Sequence, residues 1–348
     1  MDRDHASPAA ERFRRFSTSV AGCWWRPVLR SRQGVITVGW RELPAATVTD
    51  ERAGVRWTFH GRFIGDYPDL EDVVAIADGT STGPPKSKKH MSGPNPVAAL
   101  VSMLRARRLR RPKPLGRGTV DHADLDPVLQ AVADHGVPGL EPLAGRITAY
   151  IDRLGEIDPD SLTREEALAY WLNLYNAAAL DLARRTFAAG DRTVLRTPGA
   201  FTAPVVRVAG ESLSLDGIEH GKVRRFGDPR IHAALVCGSA SCPTLRSSAF
   251  TGDGLAVALD EQMRAFLGTG GSATDREHGV LRLSRVFLWF GADFVRPHRM
   301  PSLLPVGKSR VRDALVPWLP EEMQAWVRQT APKVVFMDYD WELGCSVG

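Results

Sequence analysis

Between Ala167 and Leu180 the chain carries no charged side chain, and the residues just before this stretch announce a helix. Thr163 followed three residues later by Glu166 is a capping box, which predicts a helix over 164–185. A helix with no polar face must be buried on all sides, so the rest of its domain has to wrap around it. Within the stretch, Asn173 and Asn176 are three residues apart and share one side of the helix. A buried amide without partners costs about 1–3 kcal/mol, so polar groups must meet both. Those groups are either loop backbone that the amides tie down, or a site in which they orient a histidine or donate to an oxyanion. Tyr175, between them, is a candidate substrate-binding residue.

Shorter elements surround this helix. Leu255 to Leu267 reads as amphipathic, Leu281 to Ser284 as a strand, the aromatic run Val286–Phe290 as core, and Val334 to Asp338 as a last strand entering Tyr339-Asp-Trp-Glu-Leu343. They alternate too irregularly for a doubly wound sheet. The expected fold of 119–348 is α+β, a small β-sheet packed with several helices, one of them the buried uncharged helix.

Ahead of it, 1–79 reads as a small basic region, partly β through strands at Gly34–Trp40 and Val55–Ile64. Residues 80–118 read as a Gly, Pro, Ser and Lys-rich linker and a basic amphipathic helix, Val97–Arg111. The formal charge of +5 is unevenly spread: residues 1–118 hold 21 Lys and Arg against 11 Asp and Glu, and 119–348 hold 24 against 29. The arginines 105, 107, 108, 110 and 111 suit either contact with an anionic surface or a solvated helix end. No aromatic interleaving or nucleic-acid-binding motif accompanies them. With 43% hydrophobic residues, the chain excludes wholesale disorder. No apolar run of membrane-spanning length is present, four cysteines are too few for a disulfide scaffold, and the polar start Met1-Asp-Arg-Asp-His5 does not read as a secretory signal. A soluble, cytoplasmic protein with free thiols is expected.

The chemistry concentrates in Asp228-Pro-Arg-Ile-His-Ala-Ala-Leu-Val-Cys-Gly-Ser-Ala-Ser-Cys-Pro243. Ile231–Val236 is short and flanked by breakers, which reads as a strand. On a regular strand His232 and Cys237 face opposite sides, so a base for that thiol comes more naturally from His220.

With Trp-x-Asn-x-Tyr-Asn-Ala at 171–177, Ser-Leu-Asp-x-Ile-Glu-His-Gly at 214–221, the cysteine segment at 228–243 and Tyr-Asp-Trp-x-Leu at 339–343, residues 119–345 resemble the family known as domain of unknown function 547. The resemblance implies no established activity. It implies a weak association with thiol chemistry, through relatives fused to glutaredoxin-like segments, and with export in bacterial relatives. The chain departs from the family at Val137-Pro-Gly-Leu140, where a Val-Asp-Tyr element is usual, and in showing no export signal.

Four readings of the site remain open. In the first, Cys237 is the nucleophile of an acyl transferase or an amide or ester hydrolase, with His220 or His232 as base and Asn173 or Asn176 as orienter. The loop with Ser239 and Ser241 would then hold an anion, and Arg230 a substrate carboxylate unless it pairs with Asp228. In the second, Cys237 and Cys242 form a reversible disulfide, since four intervening residues allow the Cα separation of about 4.4–6.8 Å that a bond requires. In the third, these cysteines and histidines bind zinc, although the spacing matches no strong signature, so neither a metal nor a cofactor is assigned. In the fourth, the domain is a non-catalytic binding module whose polar residues are satisfied in its core. Substrate and oligomeric state are not legible in the sequence.

Overall fold

The computed structural model describes residues 28–30, 35–39, 45–50, 54–60, and 96–348 except 303, with side chains from residue 100 onward. Two units divide the chain, Met1–Lys88 and Lys89–Gly348. In the first, β1 (Val28–Arg30), β2 (Val35–Gly39), β3 (Ala45–Asp50) and β4 (Gly54–His60) pair as an antiparallel meander, with β2 and β4 in the described parts of the strands expected at 34–40 and 55–64. Cys23 and the linker expected from residue 80, as far as residue 95, lie outside the described residues.

The second unit opens with α1 (Pro96–Ala106), which is shorter than the helix expected to reach Arg111. Its continuation is stopped by tertiary hydrogen bonds: Arg225 donates to the carbonyls of Ala106 and Leu109, and Lys222 to that of Arg110. The arginines of 105–111 stay exposed, and Arg110 pairs with Asp158 and Asp160 at 3.6 and 3.2 Å.

Helices α2 (Asp126–His135) and α3 (Ala144–Gly155) lead to α4 (Arg164–Ala188), the helix expected from the uncharged run. Every residue from Glu166 to Leu180 is buried. Thr163 caps the helix by accepting from the Glu166 amide at 3.2 Å. The Glu166 carboxylate does not return to the cap. It accepts instead from the amides of Val120 (3.2 Å) and Gly252 (2.8 Å), holding two other chain segments against the first turn of the helix.

The hairpin β5 (Pro204–Val208) and β6 (Glu211–Ser214) turns through Ala209 and Gly210, both at positive φ, and runs into α5 (Leu215–Gly221). Then follow α6 (Leu255–Phe266), β7 (Ser272–Asp275), β8 (Val280–Leu283), α7 (Val286–Val295), α8 (Lys308–Leu315), α9 (Glu321–Thr330) and β9 (Lys333–Phe336). Strand β8 pairs antiparallel with β7 and parallel with β9. Two small sheets among mostly helical structure make the unit α+β, as expected. No helix among the described residues is long and apolar enough to cross a membrane.

One expectation is corrected. Ile231–Val236 is not a strand: Pro229–Ala233 forms a 3-10 turn, capped by Asp228, whose carboxylate accepts from the Arg230 amide at 3.0 Å, and the chain beyond it is irregular. Asp-Pro is a helix-start signal, and here it outweighs the apolar run. The backbone groups a sheet ladder would use are taken by α4. Asn176 donates to the Ala234 carbonyl at 2.9 Å and accepts from the Val236 amide at 3.0 Å.

Asn173 makes the same two-sided contact with Phe250, donating to its carbonyl at 2.7 Å and accepting from its amide at 3.0 Å. Of the two readings of these amides, the structure displays the one in which they hold loop backbone. Asn173→Ala strands both backbone groups of Phe250 in the core, and denaturant unfolding is expected to show a loss of about 1–3 kcal/mol with an unchanged slope.

Candidate functional site

The loop from Val236 to Leu245 is held from two directions. Asn176 fixes its entry, and the segment 339–348 lies along its remainder. The Ala240 and Ser241 amides donate to the carbonyls of Glu342 (2.8 Å) and Asp340 (3.2 Å), the Gly344 amide to Gly238 (3.1 Å), and the Leu245 amide to Ser346 (2.7 Å). The Ser241 hydroxyl accepts from the Asp340 amide at 2.8 Å, which places Ser241 in this clamp. Gly238 sits at φ +85° with the place of a Cβ only 3.1 Å from Val194 Cγ1 and 3.3 Å from Ala183 Cβ, so the turn tolerates little but glycine.

Inside this loop Cys237 and Cys242 are joined as a disulfide, with Cα atoms 6.4 Å apart. Both residues are half-buried. Cys237 packs against the apolar cluster built on β8, β9 and α7 to α9, and Cys242 against the cluster around α4. Two hydroxyls lie on the sulfurs. Tyr339 Oη is 3.2 Å from Cys242 Sγ and 3.5 Å from Cys237 Sγ, while Ser239 Oγ is 3.3 and 3.2 Å from the same atoms. Ser239 donates to the Tyr339 hydroxyl at 2.9 Å. Burial pushes the Tyr339 hydroxyl up to about 12, the Ser239 hydrogen bond draws it down, and the nearby Glu219 charge adds to the rise, so it keeps its proton at neutral pH. The ring is packed by Trp341 at 4.6 Å and Trp289 at 4.9 Å between centroids.

Among the described residues, the hydrogen bonds to the two sulfurs come from the Cys237 amide, Ser239 and Tyr339, and none comes from His220 or His232. Both imidazoles belong to a buried network centred on Asp293, the one acid of the apolar helix α7. Asp293 bonds His232 Nε2 at 2.9 Å and accepts from Arg224 Nε at 2.8 Å and from the Ser302 amide at 2.9 Å. His232 stacks on Phe290 with centroids 4.0 Å apart, and Arg224 Nη1 approaches His220 Nδ1 at 3.3 Å.

Burial would raise the Asp293 carboxyl, but the His232 hydrogen bond and the Arg224 charge outweigh it and hold the group well below the carboxylate range. Burial, reinforced at His220 by the Arg224 charge, lowers both histidines, so they are neutral near pH 7. Glu219, beside His220 at 3.5 Å, is pushed up to about 8 chiefly by burial, and its Oε1 has no hydrogen-bond partner among the described residues. Its charge also raises the buried Tyr175 hydroxyl, for which burial is the larger cause.

Of the remaining expected residues, Arg230 pairs with Asp228 at 2.6 Å, the alternative to a substrate carboxylate, and with Asp260 at 2.9 Å. Asn173 and Asn176 act on backbone rather than on a thiol or an imidazole. Among the described residues no group of three or more His, Cys, Asp or Glu is placed to hold a metal ion. The sequence reading missed Tyr339, Arg224 and Asp293 as site residues. Tyr339 lay inside a quoted motif, and a single carboxylate in the apolar run of α7 was a signal for Asp293.

These shifts fix the pH dependence of stability. Burial lowers His122 to about 4, from an unfolded value near 6.5, and depresses His220 and His232 as well. For a histidine depressed in the folded state, stability is complete above the unfolded value and falls as pH drops from about 6.5 towards 4. Glu219, raised in the folded state, contributes in the opposite direction, with stability lost as pH rises from about 4.5 through about 8. Thermal unfolding followed across pH 4–9 is expected to show both declines, with Glu219→Gln flattening the alkaline one alone.

No curated protein and no solved structure matches the chain. Residues 159–267, which include α4, both histidines and both cysteines but neither Asp293 nor Tyr339, match the model of an uncharacterised domain family described as Protein of unknown function, DUF547.

Proposed function

We propose that this domain performs thiol–disulfide redox chemistry at the pair Cys237 and Cys242. The observation that carries the reading is the bonded, half-buried pair with a protonated tyrosine hydroxyl on its sulfurs. A disulfide is reduced when a thiolate attacks one sulfur and the other leaves with the bonding electrons. Donors beside the leaving sulfur speed that step. In full, two thiols, R–SH, and the protein disulfide give R–S–S–R and two protein thiols.

A structural staple is the weaker account. Cross-linking residues five apart constrains the unfolded chain by only about 2 kcal/mol, and backbone hydrogen bonds from 340–346 already hold this loop. The nucleophile reading calls for a thiolate paired with a base. The hydrogen bonds of His220 and His232 are made with Arg224 and Asp293, and among the described residues none is made with the sulfurs.

Glutathione redox buffers of graded potential, with alkylation and mass measurement, are expected to interconvert the oxidised and reduced pair reversibly. Reduction is expected to cost no more than about 2 kcal/mol of stability, with the fold retained. A bond that is reduced only when the protein unfolds identifies a staple instead.

A further inference from the structure

We infer that the disulfide is polar in its reactivity: an incoming thiolate attacks Cys237, and Cys242 leaves as the thiolate, with Tyr339 as the catalytic hydrogen-bond donor. This deepens the redox reading and rests on it. The asymmetry comes from where the protons are. Ser239 Oγ lies near both sulfurs, but its proton is given to the Tyr339 oxygen at 2.9 Å. Tyr339 is thereby left with its own proton to donate. The nearer sulfur is that of Cys242, at 3.2 Å against 3.5 Å for Cys237. The main chain adds a second donor on the same side, because the Cys237 amide points at Cys242 Sγ at 3.1 Å. Two donors therefore converge on Cys242. The closest hydroxyl to Cys237 Sγ is Ser239, whose proton is already committed.

A sulfur that receives hydrogen bonds as a thiolate is the better leaving group, since exchange quickens as the leaving thiol becomes more acidic. In the step this geometry favours, R–S⁻ attacks Cys237 Sγ, the Sγ–Sγ bond breaks, and its electron pair passes to Cys242 Sγ, stabilised by the Tyr339 hydroxyl and the Cys237 amide. The product is a mixed disulfide between R–S and Cys237. A second R–S⁻ then attacks the R sulfur, releasing R–S–S–R and the Cys237 thiolate. Protons from solvent complete both protein thiols. The donor is held in place by its surroundings: Trp289 and Trp341 pack its ring, and the neighbouring Asp340 amide is bound to Ser241.

The test is made on the oxidised full-length protein. It is mixed with limiting glutathione, quenched in acid within the first turnover, alkylated and mapped by peptide mass. The glutathione adduct is expected on Cys237 in at least about tenfold excess over Cys242, and predominance on Cys242 overturns the inference. Absence of any adduct, with the bond intact in folded protein, removes the redox reading itself. A second measurement uses two variants that each leave one thiol of the pair, Cys237→Ser and Cys242→Ser, with the pH dependence of iodoacetamide labelling read for that thiol by peptide mass. The Cys242 thiol is expected to titrate below the ordinary value of about 8.5, and below that of Cys237. Adding Tyr339→Phe keeps the ring and removes the donor. It is expected to raise the Cys242 profile while leaving that of Cys237 in place, and to slow reduction of the disulfide about tenfold. Equal shifts at both thiols, or an unchanged reduction rate, exclude Tyr339 from the role.

Discussion

Everything around the cysteines depends on one side chain pointing out of a buried helix. Asn176 gives both faces of its amide to the backbone of Ala234 and Val236, and this fixes the approach of the chain to Cys237. A helix buried all round has few ways to direct its neighbours, because apolar contact specifies proximity better than register. A buried amide is different, since an unmet donor or acceptor in the core costs more than most single packing contacts. Asn173 repeats the device one turn earlier on Phe250, and Glu166 does so again on Val120 and Gly252. One helix thereby sets several otherwise irregular loops.

The cysteine loop is then closed from its other side by the segment 339–348, which brings Tyr339 to the sulfurs. The two sulfurs stand where the apolar clusters meet, Cys242 on one and Cys237 on the other. The cross-link therefore sits in a frame that backbone hydrogen bonds already define. That arrangement suits a bond that opens and closes without moving the frame. The Asp293 network has hydrogen bonds of its own: Arg224 and Asp293 satisfy one another inside the core, His232 completes the pairing, and His220 sits against Arg224.

Much of this was legible in the sequence, for identifiable reasons. The buried helix followed from a missing charge and a capping box, both local signals. The same-side placement of Asn173 and Asn176 followed from helical spacing. The 3-10 turn at Pro229–Ala233 is hidden in the sequence because a short apolar run has no periodicity of its own, and Asp228-Pro229 bounds a strand as readily as it starts a turn. The helix after Pro96 ends before the expected Arg111, where Lys222 and Arg225, far away in the chain, bind the carbonyls that follow. The pairing of Tyr339 with the sulfurs spans about a hundred residues, and nothing local specifies it. Strand alternation favours His220 over His232 as a base for Cys237 but specifies the partner of neither, whereas the buried carboxylate of Asp293 recruits His232.

The central claim is that Asn176 and the strap 340–346, rather than the disulfide, hold the cysteine loop. Amide hydrogen exchange on the oxidised and the reduced protein tests it most directly, because the amides of Val236, Ala240, Ser241, Gly344 and Leu245 each donate to a named partner. The account predicts that these amides keep their protection, within about tenfold, when the bond is reduced. Loss of protection along 236–245 on reduction, with the rest of the domain still protected, would contradict it.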